Sequence, residues 1–197
     1  MRRDPLDLRR ALTHIARLQA GYFTAAQALE VGYSYPSQRY HTQRGDWLRV
    51  DRGIYRLPDW PSTQHEDLVR WTLWSRGRGV VSHETALAVH ELGDVMPARV
   101  HLTVPPGFRS RSQAVILHTG LLDATDVERF EGFAATTPPR SILDSAGGGL
   151  EVDQLARAIR DALDRGLVTV RALRARADEF GPAAALAIER ALLQEAR

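Results

Sequence analysis

The sequence predicts an α+β chain in two parts: a small helical head closed by a β-hairpin, then a mixed α/β domain with a small sheet and a helical C-terminal end. Three observations carry that expectation. Capped helices and one tight turn at Asp51–Arg52–Gly53 crowd the chain before Leu57. Downstream, Val100, Leu102 and Val104 alternate with Arg99, His101 and Thr103 as in a half-exposed strand, and the chain turns helical from Pro138. Charge is split as well: residues 1–60 hold ten arginines against six acids, whereas residues 61–197 hold sixteen against eighteen. A basic unit facing a polyanion over residues 1–60, with a near-neutral domain over residues 61–197, is the organisation this implies.

The head reads in order. Asp4 or Asp7 caps a first helix that runs to about Gln19, with Leu8, Leu12, Ile15, Ala16 and Leu18 on its apolar side. Gly21 ends it. Thr24 caps a short helix, AAQALEV, with Phe23 placed to pack back on Ala28, and Gly32 closes it. Pro36 suits the first turn of a third, polar helix that ends at Gly45. Trp47, Leu48, Val50, Ile54, Tyr55 and Leu57 then supply two strands about the turn at Gly53. These are the parts of a winged helix-turn-helix domain in order, with the third helix set to enter the major groove and the hairpin to lie along the backbone. The stretch Gly32–Leu57 carries five arginines, Arg39, Arg44, Arg49, Arg52 and Arg56, against Asp46 and Asp51.

Within that head, Ser37, Gln38, Arg39, Thr42, Gln43 and Arg44 are the candidate DNA-binding residues of the third helix. Arginine pairs bidentately with guanine and glutamine with adenine. Arg49, Arg52 and Arg56 are candidate phosphate or minor-groove contacts, which position the protein without reading sequence.

The run from Gly21 to Leu57 resembles the N-terminal domain of AbiEi-type antitoxins. The resemblance rests on Gly21 through Thr24, Gln27–Ala28, Gly32 through Ser34, Gly45 with the aromatic that follows, and Arg52–Gly53–Ile54–Tyr55. The segments VVSHETALAVHELGD, ARVHLTVPPG and TTPPRSILDSA resemble the second domain of the same proteins. The third helix departs from the pattern: many relatives place leucines against the core where this chain has Gln38, His41 and Thr42. The resemblance implies an antitoxin of a type IV toxin–antitoxin or abortive-infection locus. Such a protein represses its own operon by binding double-stranded operator DNA, usually inverted repeats. It also neutralises a nucleotidyltransferase-like toxin, and direct contact with that toxin is not required. The alternatives are a stand-alone winged-helix regulator and, less favoured, a nuclease-associated DNA-binding protein.

Past the head, Leu57–Thr63 (LPDWPST) reads as a linker in which Trp60 either adds bulk or pins the two domains together. HEDLVRWTLWSRG and HETALAVHEL read as helices, the second capped by Ser82 and ended by Gly93. Strands follow at Arg99–Val104, at Gln113–His118 and within Phe130–Thr136. PPRSILDSA is a helix, Gly147–Gly149 a break, and VDQLARAIRDALDRG a helix with Val152, Leu155, Ala156, Ile159 and Leu163 on its apolar face. Thr169 or Val170 starts another helix through Ala177, and AAALAIERALLQEA is the last.

Composition excludes several chemistries. The chain has 197 residues, 44% hydrophobic and 25% charged, which is globular. It has no cysteine, so disulfides, thiolate catalysis and cysteine-ligated zinc are out. All 26 basic residues are arginine, so a phosphate-loop lysine, Schiff-base chemistry and a lysine-dependent nuclease are out as well. Apolar runs are too short to span a membrane, so no membrane partner is expected. The start MRRDPLDLRR has no signal-peptide core, so the expected compartment is the cytoplasm.

Seven histidines raise the question of metal. His83 and His90 lie two turns apart on one helix, about 10 Å along the axis, too far for one ion. They are read as surface or helix-packing residues. Ser82–His83–Glu84 are mere sequence neighbours, which does not make a catalytic triad. Gly147–Gly149 lacks the strand before it that a phosphate cradle needs. Asp144 stands four residues after Arg140 and is read as its ion-pair partner rather than a metal ligand. The expectation is therefore no catalytic residue, no metal site and no cofactor.

Overall fold

The structure, a computed structural model, describes residues 4–195. Met1–Arg3 and Ala196–Arg197, where the expected domains begin and end and the last expected helix finishes, lie outside the described residues. The fold is mixed α/β, with nine α-helices and two sheets among the described residues. The chain forms two compact units: the chain up to Gly77 with Glu131–Phe133, and Arg78–Phe130 with the chain from Ala134 onward. No helix among the described residues is long and apolar enough to cross a membrane.

In the first unit, α1 (Pro5–Arg17) starts where the Asp4 carboxylate accepts from the Leu6 N–H at 2.9 Å, and Pro5 fills its first position. β1 (Tyr22–Thr24) follows, then α2 (Ala25–Val31). Thr24 and Gln27 form a reciprocal capping box: the Thr24 N–H donates to Gln27 Oε1 at 2.8 Å and the Gln27 N–H to Thr24 Oγ1 at 3.1 Å. Phe23 and Ala28 share one buried cluster with Leu12, Ala16, Val31, Tyr33 and Trp47. α3 (Tyr35–Gln43) has Ser34 as its cap and Pro36 in its first turn. β2 (Leu48–Asp51) and β3 (Ile54–Arg56) form the hairpin, with Gly53 at φ +71°. The sheet order is β1-β3-β2, all antiparallel.

β1 is an element the sequence reading did not contain. Tyr22 pairs with Arg56 and Thr24 with Ile54, so β3 of the hairpin becomes the central strand of a three-stranded sheet. α4 (Glu66–Trp74) packs on β1 and β3, so this unit continues past residue 60. The segment before α4 is tied to the same unit. Trp60 covers Gly21 so closely that a Cβ there would lie 2.3 Å from the indole Cγ.

The second unit holds β4 (Val80–Val81), α5 (His83–Val89), β5 (Val100–Val104), β6 (Val115–Thr119), β7 (Val127–Phe130) and, from Ala134, β8 (Phe133–Thr136). Its sheet order is β6-β5-β4-β8-β7. β4 pairs antiparallel with β5 and parallel with β8, and β5 pairs parallel with β6 in register from Val100–Val115 to Val104–Thr119. α6 (Pro138–Gly148), α7 (Val152–Asp164), α8 (Val170–Ala177) and α9 (Pro182–Glu195) bury Ile142, Leu143, Leu155, Ile159, Leu173 and Ile188 in one core with Leu87 and Leu92.

Three local expectations are corrected. α5 stops at Val89, short of Leu92, because Glu91 turns to φ +55° and Gly93 to φ +77°. Ser82 occupies the cap position but makes no capping hydrogen bond. The helical break comes at Gly149, left-handed at φ +86°, while Gly147 and Gly148 stay inside α6.

Candidate nucleic-acid interface

α3 divides cleanly along its axis. Tyr35, Pro36, Arg39, Tyr40, Gln43 and Arg44 are exposed and fall on one half of the cylinder, while Ser37, Gln38, His41 and Thr42 fall on the other. The inward half is polar because its groups are used locally. Gln38 is 2% exposed, and its amide nitrogen donates to the carbonyls of Ala25 and Tyr33, each at 3.1 Å. It fastens the start of α2 to the turn before α3. His41 stacks on Trp47 at 5.0 Å and contacts the Asp46 carboxylate through Nδ1 at 2.9 Å. Thr42 donates its hydroxyl to the Gln38 carbonyl at 2.8 Å. Trp47 is the centre of this packing, with Phe23, Tyr33 and Tyr55 rings within 5.7 Å.

The expected contact residues therefore separate into two groups. Arg39, Gln43, Arg49 and Arg52 are exposed, and none of the three arginines has an ion-pair partner among the described residues. Arg44 is exposed but engaged: it donates to the Tyr40 hydroxyl at 2.7 Å, lies over the Tyr40 ring, and stands 3.8 Å from Asp46. Gln38 is a correction, because its base-reading amide is buried and committed to backbone. Thr42 and Ser37 are half-buried on the inward side.

Arg56 is a second correction. Its guanidinium donates to Glu66 Oε2 at 2.8 Å and to the Trp60 carbonyl at 3.1 Å, and it lies over the Tyr22 ring at 5.5 Å. It holds β3 to α4 rather than reaching out to a phosphate.

The hairpin tip is shaped by Asp51, whose carboxylate accepts from the Arg52 N–H at 2.6 Å, and by Gly53 in the positive-φ turn. Arg49 pairs across from Tyr55 and Asp51 from Ile54, so Val50 is an extra residue that bulges β2. α1 adds charge the sequence reading did not select. Arg9, Arg10, His14 and Arg17 lie with Leu6 and Thr13 along one stripe of it.

What this arrangement can do chemically is bind a polyanion: exposed guanidiniums on a helix face and on a hairpin of the same unit, with tyrosines beside them. Residues 10–58, from α1 through the hairpin, match the family described as "Transcriptional regulator, AbiEi antitoxin". The match covers about a quarter of the chain and ends just past β3. Among curated proteins, none matches the chain. Among solved structures, the chain is similar to the RV2827C protein from Mycobacterium tuberculosis, with a TM-score of 0.58 and 15% identity, over 97% of this chain and 79% of that one. At that identity the likeness concerns the fold, and it extends well beyond the matched segment.

Proposed function

We propose that this chain is a cytoplasmic antitoxin of the type IV kind whose first unit is a winged helix-turn-helix that binds operator DNA. α2 and α3 are the helix-turn-helix, and the β2–β3 hairpin is the wing. The exposed half of α3 lies in the major groove, where Arg39 and Gln43 meet base edges, while Arg49 and Arg52 on the wing meet phosphates. In this reading the protein represses its own operon at inverted repeats and neutralises a nucleotidyltransferase-like toxin.

The observation that carries it is the clean split of α3: a half that is spent on the fold and an exposed half on which Arg39 and Gln43 have no partner among the described residues, in a segment that matches the AbiEi regulator model. The test is a mobility-shift titration with DNA from upstream of the gene against a scrambled duplex. Retardation of the upstream DNA at concentrations where the scrambled duplex runs free is the expected result. No preference at any salt concentration would sink the repressor reading. Co-expression with a nucleotidyltransferase-like toxin, should one be encoded beside this gene, tests the second half, growth being restored only when this chain is present.

A further inference from the structure

Helical spacing set His83 and His90 apart, but it says nothing of what strands bring in. In the second unit, His83 at the start of α5, His101 near the start of β5 and His118 in β6 come together. One ring nitrogen from each lies within 4.8 Å of the others. The parallel register of β5 and β6 aligns the two strand histidines obliquely: His101 pairs with Ile116 and Thr103 with His118. His118 Nε2 is 3.1 Å from His101 Nδ1, and the His83 ring stacks on His118 at 3.4 Å between centroids. His83 and His101 are buried and His118 is half-buried, which leaves an approach from solvent.

We propose that His83, His101 and His118 form a binding site for one divalent transition-metal ion of the zinc class. Tetrahedral coordination at about 2.0–2.1 Å places ligand nitrogens about 3.4 Å apart. The His101–His118 pair stands at 3.1 Å, hydrogen-bonded and about 0.3 Å short of that separation, and ion binding would replace this bond and require the His83 ring to tilt out of its stack. On the outer side of the cluster, Glu84 Oε2 lies 3.9 Å from His101 Nε2, beyond hydrogen-bond distance. His83 Nδ1 meets Ser82 Oγ at 3.0 Å, and that oxygen accepts from the Thr103 hydroxyl at 2.8 Å, which leaves His83 Nε2 for the ion. This also explains why Ser82 does not cap α5.

Two further features fit. His83 sits at φ +52°, a strained backbone for a non-glycine residue, in the position that turns its ring towards the strands. Gly148 of α6 leaves room for that ring: a Cβ there would be 3.2 Å from His83 Cδ2. Three histidines leave a fourth position for water or a small anionic ligand.

The test is a cobalt titration of the full, untagged chain after chelator treatment. One equivalent of Co²⁺ should develop the visible ligand-field bands of a four-coordinate site, and Zn²⁺ should displace it. His118→Ala, at a half-exposed position, should abolish the bands and weaken Zn²⁺ binding by 100-fold or more, with circular dichroism unchanged. His14→Ala, on exposed α1, should leave stoichiometry and bands as they are. Absence of bands in the folded parent, or bands that survive His118→Ala, would overturn the site. None of these readouts depends on DNA binding.

Discussion

Gln38 shows how a residue type can mislead. Glutamine on a basic helix suggests adenine recognition, yet here its amide spans two backbone carbonyls in the interior. The expected effect of Gln38→Ala is a loss of fold stability, about 2–4 kcal/mol from an unfilled site and two orphaned carbonyls, read by urea denaturation. A variant as stable as the parent would show that the amide does not hold α2 and α3 together. Arg39 and Arg52 carry the opposite expectation. Arg39→Ala should cost about 1–3 kcal/mol on operator DNA and little on random DNA, whereas Arg52→Ala should weaken both alike. Equal losses on both duplexes for both variants would remove this division of roles. The exposure of Arg39 was legible in the sequence. The burial of Gln38 and the capture of Arg56 by Glu66 were not, because both depend on partners that only the tertiary fold brings near.

Caps and turns were the legible part at the level of elements. Asp4, Thr24, Pro36 and Gly53 act within four residues of themselves, so local chemistry suffices to place them. β1 was not legible. Its three residues lie between helices, and what makes them a strand is β3, some thirty residues away in the chain. The histidine cluster was missed for the same reason, since strand pairing rather than helical spacing assembles it. Gly93 shows how a turn becomes a packing constraint. A Cβ there would stand 2.8 Å from Ala158 Cβ and 2.9 Å from the Ala158 nitrogen, on a backbone at φ +77°. Gly93→Ala should therefore cost about 2–4 kcal/mol by pushing the turn after α5 away from α7, measured as a fall in thermal midpoint. An unchanged midpoint would mean that the approach is looser than this.

At the scale of the whole molecule, the arginine count overstates the charge available to a polyanion. With Arg44 and Arg56 engaged, three guanidiniums on α3 and the wing remain: Arg39, Arg49 and Arg52. The slope of log K against log salt should then be about −3 for one bound copy and about −5 to −6 for two. A slope near −1 would contradict the proposed contact set.

A second prediction concerns Asp144, held by Arg140 Nε at 2.9 Å as the sequence spacing implied. Burial pushes its carboxyl up to about 6, against the opposing pull of Arg140. The unfolded value is near 3.9, so the folded state holds the proton more tightly. This group's contribution to stability is complete below about pH 4 and is lost as pH rises through about 6. Relative to Asp144→Asn, the parent should lose roughly 2–3 kcal/mol between pH 4 and pH 7. A gap that is the same at both pH values would refute the shift. Finally, the two-residue strand β4 sits mid-sheet, and Val81 must find Ala135 more than fifty residues downstream. Loop closure over that span comes before any reward from the contact, so joining the β5–β6 pair to the β7–β8 hairpin is a late and slow event in folding.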